Sequence, residues 1–96
     1  MLGAPSAIKT DEEGLQKMRE YRTLVESHAV KTYPIFEPVQ YTTQVVSGTN
    51  YQVKVKVGED KYIHFKVNDP TPMSNNLDLM EFKEPCTLDE TLHFGQ

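Results

Sequence analysis

The sequence has no tryptophan, a single cysteine and no uninterrupted hydrophobic run long enough to cross a bilayer. Cys86 has no partner for an internal disulfide, which favours a reducing, cytoplasmic setting, with non-classical secretion left open. The opening MLGAPSAIKTDEE lacks the basic start and apolar stretch of a signal peptide. An excess of cations is missing too: 10 Lys and Arg face 14 Asp and Glu, for a net charge of −4. No basic stripe alternates with aromatics, so neither nucleic acid nor a membrane is an expected partner. Apolar residues make up 38% of the chain, enough for a thin core and better suited to two layers than to a deep barrel. With 96 residues, a single domain spanning 1–96 is expected. There is no Gly-rich phosphate loop, repeat or low-complexity tract.

What is present is periodicity. Residues 1–8 are small and apolar with Gly3 and Pro5, and read as a flexible arm whose end joins the sheet. Thr10 and Glu13 have the spacing of a capping box, with Asp11 and Glu12 placed where a helix N-terminus favours acids. Leu15, Met18, Tyr21, Val25 and Ala29 recur at steps of three and four, which predicts one helix running to about residue 30. Beyond Pro34 the period becomes two. Val39, Tyr41, Thr43 and Val45 alternate with glutamines and Thr42. Tyr51, Val53, Val55 and Val57 alternate with Gln52, Lys54 and Lys56, and Ile63, Phe65 and Val67 with Tyr62, His64 and Lys66. A further alternating run starts at Leu77 and ends near Phe82. One helix followed by an antiparallel meander predicts an α+β fold with the helix on one face of the sheet.

Catalytic chemistry finds little support. Cys86 with His28, His64 or His93 could in principle pair a nucleophile and a base, yet no local signature accompanies them. The histidines lie on different elements without metal-ligand spacing, so no metal or other cofactor is expected. His64, beside Lys66 on the polar side of its strand, is expected at the solvated surface.

One stretch resists simple reading. Gln44, Val45, Val46, Ser47 and Gly48 lie between two strands, so a turn is expected where two β-branched residues favour extension. This QVVSGTNY, followed by QVKVKVGEDKYIHFKV, closely resembles the type 1 cystatins, or stefins, inhibitors of papain-like cysteine proteases. The resemblance runs from the capped helix through YPIFEPVQYTTQVVSGTNYQVKVKVG to about Leu79. It implies a cystatin-like antiparallel sheet of five strands wrapped around one long α-helix. It also implies a wedge of three segments that occludes the active-site cleft reversibly and competitively. Carried onto this chain, the protease-binding residues are Leu2 and Gly3 in the arm, Gln44, Val45, Val46, Ser47 and Gly48 in the first hairpin, and Thr71, Pro72 and Met73 in the second.

Two departures stand out. The arm reads Gly3-Ala4-Pro5 where stefins commonly have Gly-Gly, and Thr71 precedes Pro72 where Leu is usual. The resemblance leaves a non-inhibitory protein-binding module on the same fold as the alternative. Strain in the valine-rich turn implies a monomer that converts to a domain-swapped dimer on partial unfolding, with the strands on either side of the turn fused.

Overall fold

The computed structural model describes residues 3–70 and 76–94. Its elements are α1 (Glu12–Met18), a 3-10 turn (Arg19–Tyr21), α2 (Arg22–Ala29) and strands β1 (Glu37–Val46), β2 (Gly48–Gly58), β3 (Lys61–Asp69) and β4 (Asp78–Cys86). The strands form an antiparallel sheet in the order β1-β2-β3-β4. Together α1, the 3-10 turn and α2 make one helix, tightened in its middle and laid across one face of that sheet. The expected helical stripe is the buried one: Met18, Tyr21 and Val25 pack on Val53, Val55, Ile63, Phe65 and Val67.

The helix starts one residue later than the capping box at Thr10 suggests. Asp11 is the cap: one carboxylate oxygen accepts from the Gly14 amide at 2.8 Å and the other from the Tyr41 hydroxyl at 2.5 Å. Asp11 has a second carboxylate oxygen for that phenol where Thr10 has one hydroxyl, so a tertiary partner favours Asp11 over its neighbour. These bonds hold the Asp11 carboxyl below its usual pKa, the Tyr41 bond contributing most. Gly14 belongs to the same arrangement, because a Cβ there would fall 1.8 Å from the Tyr41 hydroxyl oxygen. Val30 closes α2 in the left-handed conformation, with φ 57°.

Four strands are fully laddered, and the arm lies along β1 where the resemblance implies a fifth. The Gly3 amide donates to Val45 O at 3.0 Å, Ser6 N to Thr43 O at 2.7 Å, and Lys9 and Tyr41 exchange a pair of bonds. Three arm residues are used for every two of β1, and the Thr43 amide donates to the Ser6 hydroxyl instead of to backbone. Pro5 brings no N–H to such a ladder, so the pairing stays irregular and yields one bridge, Lys9 with Tyr41. At the other edge β4 continues through Pro85, with a bulge between its pairings to Tyr62 and His64. An edge strand tolerates proline there.

The outer face of the sheet departs most from expectation. Gln52, Lys54, His64 and Lys66 alternate as solvent-facing residues should, yet all four are buried. A strap formed by residues 87–94 crosses that face. The Lys54 ammonium donates to the carbonyls of Leu88 and Glu90, the Phe94 amide donates to Gln52 Oε1 at 3.0 Å, and the Phe94 ring stands edge-on to His64. Lys83 and Glu90 form an ion pair beside it. Buried Lys54 is accommodated because its charge meets two main-chain acceptors.

Candidate functional site: a hairpin tip flanked by the arm and the end of β3

The site is the end of the sheet where β1 turns into β2. Gln44 pairs with Asn50, Val45 with Thr49 and Val46 with Gly48, leaving Ser47 alone at the apex. This resolves the conflict posed by the sequence. Both valines remain in β1, where β-branched residues belong, and the reversal falls on Ser47 and Gly48. Within residues 44–50, only Gly48 takes a positive φ, at 89°. It is also fixed by space: a Cβ there would lie 2.5 Å from Asp69 O and 2.8 Å from Pro70 Cα. The glycine thus lets the tip lie directly on the end of β3.

Of the ten residues expected to bind a protease, six are described and converge here: Gly3, Gln44, Val45, Val46, Ser47 and Gly48. Leu2, Thr71, Pro72 and Met73 lie outside the described residues. The start of the arm and the tip are joined by two bonds, Gly3 N to Val45 O and Gln44 Nε2 to Gly3 O at 2.8 Å. Gln44 therefore spends its amide inside the molecule, as a clamp between two segments of the edge. On the other flank, Thr49 pairs with Asp69 and Asn50 with Asn68. The Asn68 amide nitrogen donates to Asn50 Oδ1 at 2.8 Å and to Ser47 O at 3.4 Å.

Residues 44–50 carry no charge. Val45 is 66% exposed with its apolar surface unmatched inside the molecule. Behind the tip lies an open groove of about 450 Å³, lined by Lys17, Val46, Tyr51, Asp69 and Pro70 among others. The Lys17 ammonium sits over the rings of Tyr21 and Tyr51, at 5.6 and 5.9 Å from their centroids. A narrow, uncharged edge with an apolar crest can enter a cleft without stripping water from ions.

The residues weighed for catalysis lie elsewhere. Cys86 pairs with Tyr62, seven residues along β3 from Asp69, so roughly 23 Å of strand separates it from the tip. Its buried thiol donates to Lys83 O at 3.5 Å, and burial pushes its pKa up, opposite to what a thiolate nucleophile requires. Among the described residues, no group of three or more metal-ligating side chains converges.

Two features of the site escaped the sequence reading. The Gln44 clamp depends on an arm register that an irregular edge does not advertise. The Tyr21 hydroxyl donates to Asp69 Oδ2 at 2.5 Å, yet Asp69 sits in NDPTP, a stretch that reads only as a strand breaker.

Comparison with known proteins points the same way. The family described as Cystatin domain matches residues 3–88. Cystatin-B of Homo sapiens and Cystatin-B of Macaca fuscata fuscata are each 37% identical over 76 residues, covering 78% of this chain and 78% of the relative. Cystatin-B of Oplegnathus fasciatus is 41% identical over 73 residues, covering 75% of this chain and 73% of its own.

Proposed function

Because this chain belongs to the cystatin family, as a type 1 member or stefin, we propose that it blocks papain-like cysteine proteases of the cathepsin type by reversible, competitive occlusion of the active-site cleft. It is a cysteine protease inhibitor and not an enzyme. In this mechanism residues 1–96 act as one cystatin-like domain. The tip enters the groove beside the protease's catalytic pair, while the arm, residues 1–8, and the residues Thr71, Pro72 and Met73 engage the neighbouring subsites. The reading rests on one observation above all: an uncharged tip with Val45 exposed is held against the arm before any partner arrives. Preformed edges bind more tightly because less ordering remains to be done on contact. Cytoplasmic residence belongs to the same proposal, since a reducing compartment preserves the lone thiol of Cys86.

Titration of a papain-type protease with the purified chain tests the reading, and serine and metalloproteases serve as controls. Inhibition confined to the papain type is expected. No slowing at micromolar concentration would leave only the non-inhibitory binding module. Deletion of residues 1–4 removes the bonds of Gly3 to Val45 and Gln44. The truncated chain is expected to dissociate faster, with a smaller change in association rate. Stopped-flow and displacement kinetics measure both, and an unchanged dissociation rate would show the arm to be idle.

We also propose a monomer that reaches a domain-swapped dimer only through partial unfolding. If residues 46–48 straighten, β1 and β2 become one strand, and the helix with β1 packs on the sheet of a second copy. Nearly every core contact is remade between chains, so the barrier is close to that of unfolding. Heating just below the melting temperature is expected to yield a dimer on size exclusion that does not inhibit, because its tip no longer exists. A dimer as inhibitory as the monomer would rule the swap out.

A further inference from the structure

We propose that Tyr21 and Asp69, neither of which forms part of the exposed tip, are positioning residues that hold the inhibitory hairpin at a fixed attitude to the helix. The proposal rests on the inhibitory reading above and adds residues that reading does not use. Tyr21 lies in the tightened middle of the helix, and its ring is buried against Tyr51 and Phe65, with centroids 6.0 and 6.3 Å away. From there its hydroxyl reaches Asp69 Oδ2 at 2.5 Å, and the Lys17 ammonium approaches the same oxygen at 3.4 Å.

Asp69 faces two ways. Its carboxylate receives the helix, while its backbone pairs with Thr49 and its carbonyl abuts Gly48. One residue therefore links the core helix to the backbone of the tip. A charge-assisted bond from a buried phenol is among the stronger single ties available to a fold. Burial and the facing carboxylate push the phenol pKa far up, so it remains a donor. Without the tie, the helix keeps only Lys17, a flexible side chain, as a polar contact to Asp69, and the backbone that Asp69 shares with the tip is set less firmly. An edge that must be ordered on contact binds more weakly than one already set.

The test compares Tyr21→Phe, Asp69→Ala, Asp69→Asn and the Tyr21→Phe/Asp69→Ala double variant. Two readouts are taken: dissociation from a papain-type protease, and amide hydrogen exchange in the free protein. Tyr21→Phe keeps the ring in the core, so exchange at Val53, Val55 and Phe65 is expected to stay at parent rates. Exchange at residues 48–50 and 68–69 is expected to rise about tenfold, with dissociation faster by about the same factor. Asp69→Ala releases Lys17 as well and should lose at least as much as Tyr21→Phe, and the double variant should be no worse than Asp69→Ala alone, since the phenol then has no bond left to lose. Asp69→Asn keeps an acceptor for the phenol and should restore slow dissociation to within about threefold of the parent. A merely structural role for Tyr21 would instead raise exchange throughout the core. Unchanged exchange at the tip in Tyr21→Phe overturns the proposal, as does unchanged dissociation from an inhibited protease. If the parent chain inhibits nothing, the inhibitory reading falls and the exchange measurement alone decides whether Tyr21 positions the tip.

Discussion

Gly48→Arg is expected to weaken inhibition of a papain-type protease by at least about 30-fold, equivalent to roughly 2 kcal/mol for a central contact. Two effects combine. The residue holds φ at 89°, which an L side chain rarely adopts, and its Cβ would collide with Asp69 O and Pro70 Cα. The arginine must therefore displace the tip from the end of β3 before its own bulk meets the partner. Gly48→Ala separates these effects, since it brings the collision without the long cation. Its stability is expected to fall by about 1 to 3 kcal/mol, from strain and displacement together. Inhibition constants and thermal melting of both variants decide the matter. An arginine variant within threefold of the parent would show that the tip lies outside the contact.

Stability is expected to fall by roughly 3 kcal/mol as pH is lowered from 7 to 4, with His64 as the main cause. His64 is 1% exposed, and its Nε2 has no hydrogen-bond partner. Burial, and then the nearby Lys54 and Lys83, lower its pKa from 6.5 to about 4. In the unfolded chain the imidazole takes up its proton near the ordinary value, so on acidification the unfolded state binds that proton first. The contribution of neutral His64 is complete above pH 6.5, declines below it, and is lost as pH passes the folded value of about 4. Asp11 and Glu26, both held below their usual pKa, add losses that set in as pH falls through about 3.8 and 4.5 respectively, so that of Glu26 overlaps the lower end of this range. Denaturant unfolding at pH 7, 5.5 and 4.5 measures the slope. His64→Phe, which removes the titrating group beside the Phe94 ring, should flatten it between pH 6.5 and 4. A slope unaltered by that change would assign the acid sensitivity elsewhere.

The contrast between these two sites shows what the sequence could and could not reveal. The helix was legible because Met18, Tyr21 and Val25 repeat at helical spacing, and the strands because Val53, Val55 and Val57 alternate. The tip was legible through its resemblance to stefins, and the structure relocates its strain from the valines to Gly48. The outer face was misread for a physical reason. Lys54 and His64 are polar and alternate with buried residues, which normally means solvent. What covers them includes main-chain carbonyls of the strap, and every residue carries one of those. The same limit explains Asp69, whose partner Tyr21 is 48 residues away and belongs, by periodicity, to the core.

The strap also carries a consequence for biosynthesis. Lys54 finds its acceptors 34 and 36 residues downstream, at Leu88 and Glu90. Translation delivers residues in order, at roughly 5 to 20 per second, so the helix and the first three strands emerge while that ammonium still has no carbonyl to meet. Until residues 88–94 leave the ribosome, the outer face is a wet, cationic surface. A released chain that ends at Cys86 therefore holds both sides of the tip and all four strands but not the cover over Lys54, and its lysine ammonium should react readily with amine-directed labels, a reactivity that is lost in the full chain.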